Sequence, residues 1–122
     1  MGEMHRIESG EEVRVVLITA PDPTIARRLA LGLVEARLAA CVNLVDDVRS
    51  VYRWEGRVEE EVEVLMLVKT SAQRLPELGS WIEREHPYDT MEFIALRPEE
   101  IEGRYAAWLL GALAREGDAE ER

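Results

Sequence analysis

The spacing of apolar residues in the first third of the chain predicts a strand followed by a helix. Residues 13–19 form a short run rich in Val, Leu and Ile, which is typical of a strand buried on both faces. Pro21 and Pro23 end this run, and Asp22 or Thr24 is a suitable N-cap for a helix. Apolar residues then recur at helical spacing to about Leu38.

From Cys41 to Thr70 the spacing changes to alternation, which predicts two long strands joined by a turn at Glu55-Gly56. Each arm has about 13 residues and spans about 43 Å at 3.3 Å per residue, well beyond the usual strand length. The distal part of this hairpin is therefore expected to project beyond its own domain. Its apolar side chains then need a covering partner, which predicts oligomerisation.

The remaining sequence completes a recognisable order of elements. Ser71 is a candidate cap for a second helix reaching about Glu85, residues 91–96 predict a further strand, and residues 101–113 predict a closing helix. Two βαβ halves joined by a hairpin form the split-βαβ, ferredoxin-like arrangement, an α+β fold with both main helices on one face of an antiparallel sheet. The predicted domain covers residues 13–113, between flexible tails at 1–12 and 114–122.

Composition and charge restrict the function. The 122 residues are 47% hydrophobic, enough for one core, and carry a formal net charge of −10. This charge argues against nucleic acid and membrane surfaces as partners. A single cysteine excludes an intrachain disulfide, and no apolar run approaches the ~18 residues of a membrane helix. We expect a cytoplasmic protein.

Several short motifs identify a family. The chain resembles the CutA divalent-cation-tolerance proteins from about Val13 to Leu113, in both the order and the spacing of the motifs. They are Thr19-Ala20-Pro21-Asp22, Leu38-Ala39-Ala40-Cys41-Val42-Asn43, Tyr52-Arg53-Trp54-Glu55-Gly56, Val68-Lys69-Thr70, His86-Pro87-Tyr88-Asp89 and the closing Tyr105-Ala106-Ala107-Trp108-Leu109.

The resemblance implies a ferredoxin-like fold and a tightly packed homotrimer in which the long hairpins exchange strand contacts. It also implies a cytoplasmic location in bacteria and a role in tolerance to copper and other divalent metals. No cofactor is required by this interpretation, although Cu²⁺ or another divalent cation is a candidate ligand.

The candidate metal ligands are His86 and Cys41, because imidazole and thiolate are the side chains that suit copper. In some CutA members a copper site is associated with a cysteine late in the first strand and a histidine pair before Pro-Tyr. This sequence has Ile18 at the first position and Glu85-His86 at the second. The alternatives are a helix-terminal imidazole for His86 and core packing for Cys41.

A group of acidic residues lies on or near the hairpin and offers oxygen ligands to hard cations such as Ca²⁺ or Mg²⁺. The alternative is a solvated face whose carboxylates pair across the strands with Arg49, Arg53 and Arg57. The carboxylates concerned are Asp46, Asp47, Glu59, Glu60, Glu61 and Glu63.

A second candidate site is a cleft between subunits that takes a small ligand, with Lys69 and Glu92 as polar anchors. The alternative is that the same side chains form the core of an interface. The cleft residues are Tyr52, Trp54, Lys69, Tyr88 and Glu92.

No hydrolase, P-loop or dinucleotide motif is present, so we predict a protein that is not an enzyme. The first hypothesis is a homotrimer that responds to divalent metal ions by binding cations or a small effector. The alternative is a PII-like signalling trimer that binds a metabolite or nucleotide, although the hairpin is acidic beyond Arg57. An acylphosphatase-like hydrolase is a third hypothesis, which rests on fold analogy alone.

Overall fold

The computed structural model describes residues 6–116, which form six strands and three helices. The predicted tail residues 1–5 and 117–122 lie outside the described residues. In chain order the elements are β1 (Ile7–Ser9), β2 (Val13–Ala20), α1 (Pro23–Glu35), β3 (Cys41–Trp54), β4 (Arg57–Ser71), α2 (Leu75–Glu85), β5 (Ile94–Leu96), β6 (Glu100–Glu102) and α3 (Gly103–Leu113).

The main sheet has four antiparallel strands in the order β3-β4-β2-β5. The α1 and α2 helices connect these strands as the split-βαβ arrangement requires, so the predicted α+β fold is confirmed. The main core lies between the sheet and these helices. Its largest fully buried members include Ile18, Leu29, Leu33, Met66, Leu78 and Ile82.

The α1 helix begins as the sequence predicts. The Asp22 carboxylate accepts a hydrogen bond from the Ile25 backbone N–H at 2.8 Å, and Pro23 occupies the first helical turn. The helix ends at Glu35, three residues before the predicted end at Leu38. Arg37 has a φ of 57°, which turns the chain into the left-handed region and directs it toward β3.

The other face of the sheet is covered at one end by α3. Val13 packs there with Leu109 and Leu113, and all three side chains are buried. Farther along this face β5 contributes Ile94 and Leu96, which remain 49% and 47% exposed. This face of the single chain is therefore only partly covered.

Parts of the predicted tails are tied to the domain. The strand Ile7–Ser9 lies within the predicted N-terminal tail, yet it pairs with Glu100–Glu102 in a separate two-stranded sheet. At the other end Arg115 bonds the Ala36 carbonyl at 2.7 Å. These contacts join segments that are far apart in sequence, which explains why local composition did not predict them.

The β3–β4 hairpin is as long as predicted, with arms of 14 and 15 residues. The turn lies at Glu55-Gly56, where both residues have positive φ, of 50° and 81°. Positive φ at both central positions is the type I′ requirement, which matches the twist of the strands. A β-bulge interrupts the pairing between Val45 and Val48, with Asp47 at a φ of 61°.

Two other elements are shorter than predicted. The fourth strand of the main sheet begins at Ile94 instead of residue 91, and α3 begins at Gly103 instead of 101. Ile101 belongs to β6, where it pairs with Glu8. None of the helices within residues 6–116 is long and apolar enough to cross a membrane.

Candidate functional site at the base of the hairpin

His86 lies directly after α2 and reaches the central strand of the sheet. Its side chain is 6% exposed, and its Nε2 atom lies 2.8 Å from the carbonyl oxygen of Thr19. The pairing of β2 with β5 runs from Val15 to Leu17. The imidazole therefore hydrogen-bonds a backbone carbonyl of β2 that lies beyond the residues paired with β5.

The second ring nitrogen of His86 is also engaged. The Tyr88 backbone N–H donates to Nδ1 at 3.1 Å, and the two rings pack edge to face with centroids 4.9 Å apart. Because a carbonyl can only accept and an N–H can only donate, Nε2 carries the proton and Nδ1 uses its lone pair. The helix-terminal role predicted for His86 would have bonded it to the last carbonyls of α2. In the structure the bonded carbonyl belongs to Thr19.

Cys41 lies elsewhere on the sheet. It pairs with Lys69 of β4, whose ammonium is 3.9 Å from the thiol and also hydrogen-bonds the Asn43 side chain. Lys69 in turn pairs with Val15 of β2, four residues from Thr19. At 3.3 Å per residue this separates Cys41 from His86 by about 13 Å along the strand direction.

The residues present do not fit the copper site considered above. Both nitrogens of His86 are bonded, Cys41 is distant from it, and neither position 18 nor position 85 supplies a soft ligand. Within residues 6–116, no three His, Cys, Asp or Glu side chains are grouped in a way that could hold a metal ion. The His86 and Cys41 prediction therefore does not describe one site in this chain.

Tyr88 links the loop after α2 to the hairpin. Its hydroxyl donates to the Glu63 carboxylate at 3.0 Å, and Glu63 is only 8% exposed. Burial, followed by the Glu63 hydrogen bond and charge, raises the pKa of the Tyr88 phenol well above its usual value. Glu63 is thus a buried carboxylate whose partner is a neutral phenol.

Tyr52 forms a second pair of the same kind. A hydrogen bond to Glu61 is the largest cause that raises the pKa of Tyr52 to about 12, and the charges of Glu59 and Glu63 add to it. Tyr52 also contributes to the raised pKa of Tyr88, so the two pairs influence each other. Together Tyr52, Tyr88, Glu61 and Glu63 form what we call the phenol–carboxylate cluster.

The predicted cross-strand ion pairs are only partly correct. The register pairs Glu59 with Tyr52, Glu61 with Ser50 and Glu63 with Val48, so these carboxylates lie on the face opposite to that of Arg49 and Arg53. Arg49 instead approaches Glu60 at 3.9 Å, and Arg57 approaches Glu59 at 3.7 Å. For Glu61 and Glu63 the prediction was wrong because it did not fix the register of the two strands, which decides the face each side chain occupies.

The five predicted cleft residues do not all meet within one chain. Tyr52 and Tyr88 lie near each other, but Lys69 is ten residues along β4 from the position opposite Tyr52, about 33 Å away at 3.3 Å per residue. Trp54 lies beside the turn and is 51% exposed, and Glu92 lies exposed before β5. A single cleft of all five residues requires more than one chain.

Sequence reasoning missed the Tyr–Glu pairs, although a signal was present. Once the Glu55-Gly56 turn is fixed, counting backward and forward pairs Tyr52 with Glu59. Alternation then places Glu61 and Glu63 on the same face as Tyr52. The Tyr88 contact had no such local signal, because Tyr88 and Glu63 are 25 residues apart in sequence.

Comparisons with known proteins agree on one family. The family described as CutA1 divalent ion tolerance protein matches residues 14–112. The divalent-cation tolerance protein CutA of Thermus thermophilus is 47% identical over 95 residues, which are 78% of this chain and 92% of that protein. Protein CutA of Mus musculus is 40% identical over 97 residues, and the match covers 80% of this chain and 55% of the mouse protein.

A solved structure gives the same result for the fold. The CutA structure from Synechococcus elongatus superposes with a TM-score of 0.86 at 34% sequence identity. The match covers 89% of this chain and 96% of the cyanobacterial one. The similarity therefore extends over nearly the whole of the described part of the chain.

Proposed function

This chain belongs to the family of CutA1 divalent ion tolerance proteins, and from that premise we propose that it acts in tolerance to divalent cations as a homotrimer. In this proposal it binds cations or a small effector and catalyses no reaction. The observation that carries the proposal is the acidic, partly apolar hairpin that extends beyond the sheet of a single chain. Two properties of this hairpin support the two parts of the proposal.

The first property is exposed apolar surface, which supports self-association. Val51, Val58 and Val62 of the distal hairpin are 60%, 63% and 51% exposed, and Ile94 and Leu96 form a separate exposed apolar area on the opposite face of the sheet. Contiguous exposed apolar patches of this kind mark interaction surfaces in soluble proteins. In the proposed homotrimer, a second and a third copy of the chain cover these surfaces.

The second property is the row of carboxylates on the Tyr52 face, which supports cation binding. Glu59 and Glu61 lie on this face and reinforce the negative charge next to buried Glu63. Carboxylate oxygens suit divalent cations, whereas His86 has no lone pair left in this arrangement. We therefore place cation binding on carboxylates contributed by more than one chain, and the proposed effector cleft with Tyr52, Trp54, Lys69, Tyr88 and Glu92 between chains.

Calorimetric titration of the full chain with Cu²⁺, and separately with Mg²⁺, tests the cation part. The Glu59→Gln/Glu61→Gln double variant should bind on the order of tenfold more weakly than wild type, a loss of about 1.4 kcal/mol. Glu60→Gln/Glu83→Gln changes the net charge equally but removes no carboxylate from the Tyr52 face. This control should bind like wild type.

Equal losses of cation affinity in the two double variants would mean that net charge alone attracts the cations. That result would contradict a cation site on the Tyr52 face. A loss in His86→Gln or Cys41→Ser that exceeds the loss in Glu59→Gln/Glu61→Gln would contradict the assignment to carboxylates. Light scattering on the same samples should give three times the 13.9 kDa mass of one chain. A mass near 13.9 kDa at micromolar concentration would contradict the trimer.

A further inference from the structure

A concavity of about 640 Å³ lies at the end of the sheet away from the hairpin turn. It lies between the start of β2, the connection from β4 to α2, and the C-terminal end of α3. Three arginines line it, Arg14, Arg74 and Arg97, together with Glu11 and Glu12. Basic groups thus outnumber acidic ones here, whereas the whole chain has 25 acidic and 15 basic residues.

Arg74 is fixed within this concavity. The residue is 7% exposed, its backbone N–H donates to the Ser71 hydroxyl at 3.0 Å, and its Nη2 donates to the Leu113 carbonyl at 2.7 Å. A guanidinium remains charged even when it is buried in a protein. The positive charge of Arg74 is therefore a permanent feature of the wall.

Arg14 is held in a similar way. Its Nη1 atom donates to the backbone carbonyls of Glu11 and Val13, at 2.6 and 2.8 Å. These two bonds fix the plane of the guanidinium without neutralising it, since backbone carbonyls carry no net charge. The Arg14 side chain is thus already ordered in the free protein, so ligand binding does not have to reduce its conformational entropy.

Arg97 is the most exposed member of the three. Its Nη2 lies 3.5 Å from the Glu11 carboxylate, and both side chains are more than half exposed. An ion pair between two exposed side chains is weak in water, so a competing anion can displace Glu11 at small cost. The Glu11 carboxylate already occupies the place that another carboxylate or phosphate oxygen would take.

We propose that this concavity, the arginine pocket, binds a small oxyanion ligand, either a phosphomonoester or a dicarboxylate. Guanidinium groups present planar pairs of donors that match carboxylate and phosphate oxygens, and the volume lies within the range of metabolite sites. The site is separate from the proposed cation surface on the hairpin and does not depend on it. It would allow the protein to bind an anionic metabolite as well as cations.

Nuclear magnetic resonance titration of the full chain with inorganic phosphate, at constant low ionic strength in chloride, tests the pocket. The backbone amides of Ala72 and Gln73, which line it, should shift and saturate. Arg97→Gln should weaken phosphate binding about tenfold, and Glu11→Gln should strengthen it about threefold by releasing Arg97. Arg74 is left unchanged because it also bonds α3.

Two matched variants separate the pocket from general charge effects. Arg27 lies on the exposed surface of α1, and Glu60 lies on the hairpin. Arg27→Gln repeats the charge change of Arg97→Gln outside the pocket, and Glu60→Gln repeats that of Glu11→Gln. Both should change the phosphate affinity by less than about twofold. If Arg27→Gln weakens binding as much as Arg97→Gln does, or if the amide shifts do not saturate, the proposal is wrong.

Competition identifies the ligand class. Glycerol phosphate and succinate are each added to the phosphate-loaded protein, and the Ala72 and Gln73 signals are followed. Displacement by glycerol phosphate at lower concentration assigns the site to phosphomonoesters, and the reverse order assigns it to dicarboxylates. Failure of both compounds to displace phosphate would contradict a metabolite site.

Discussion

The two halves of the β3–β4 hairpin share one backbone arrangement but differ in their surroundings. Val64, Met66 and Val68 occupy alternate positions of β4 and are at most 2% exposed, because α1 and α2 pack on them. Val58 and Val62 continue the same alternation toward the turn and are 63% and 51% exposed. Alternation of apolar residues therefore predicts the strand and its faces, while burial depends on what lies above each face.

The junction between the two halves is polar. Glu63 is the first β4 residue beyond the pairing with β2, and the Tyr88 hydroxyl donates to its carboxylate. Nearby, His86 bonds the Thr19 carbonyl close to the end of β2. The loop after α2 thus closes the buried half of the sheet at the point where the projecting half begins, which suggests three experiments.

The largest expected effect lies in the buried half. Met66→Ala removes a fully buried side chain from the main core and should lower the free energy of unfolding by about 2–5 kcal/mol. Val62 lies four residues from Met66 on the same face of the strand. Within one chain, Val62→Ala should lower the free energy of unfolding by no more than about 0.5 kcal/mol. Denaturant unfolding of both variants at several protein concentrations measures the difference.

The dependence on concentration sharpens this comparison. A Val62→Ala loss that varies with protein concentration would indicate that another copy covers the distal hairpin. Equal, concentration-independent losses for Met66→Ala and Val62→Ala would contradict the difference in burial between the two halves.

An intermediate effect is expected at the junction. His86→Ala leaves the Thr19 carbonyl without its imidazole donor and should cost about 1–3 kcal/mol in the free energy of unfolding. His86→Gln keeps a side-chain N–H donor and should lose less. Thermal and denaturant unfolding of the two variants tests this, and unchanged stability in His86→Ala would rule out the structural role of His86.

The smallest expected effect lies in the distal half and appears at high pH. The pKa of Tyr52 is raised from 10.0 to about 12, so the folded state favours the neutral phenol. The resulting stabilisation is complete below about pH 10 and is lost as the pH rises through about 12. Glu61→Gln, which removes the largest cause, should move the Tyr52 pKa back toward 10.0.

Titration of tyrosinate ultraviolet absorbance follows this change. Glu60→Gln is the matched control, because Glu60 pairs with Val51 on the opposite face of the hairpin. A control variant that lowers the Tyr52 pKa as much as Glu61→Gln would show that overall charge is responsible, and the Tyr52–Glu61 hydrogen bond would then lose its assigned role.

Much of the fold could be predicted because its signals are local. The Asp22 cap, the Glu55-Gly56 turn and the alternation on β4 each act within a few residues and set the type and order of the elements. The short pairing of Ile7–Ser9 with Glu100–Glu102 could not be predicted in this way. Its partners are more than 90 residues apart, and neither segment is apolar enough to identify a strand by itself.

The candidate site was less predictable for the same reason. His86 and Tyr88 were singled out by their residue types, but their roles depend on Thr19 and Glu63 from other strands. Cys41 and His86 were considered as metal ligands because of their chemistry, whereas strand register keeps them apart. The arginine pocket likewise joins residues from four separate parts of the chain.

The sequence by itself determined the family, the ferredoxin-like order of strands and helices, and the length of the hairpin, because periodicity, caps and turns are encoded locally. Only the tertiary structure decided which face each carboxylate occupies, that both nitrogens of His86 are engaged, and where arginines gather in an acidic protein. The physical reason is that hydrogen bonds and burial depend on the register and packing of distant segments, which no local pattern specifies.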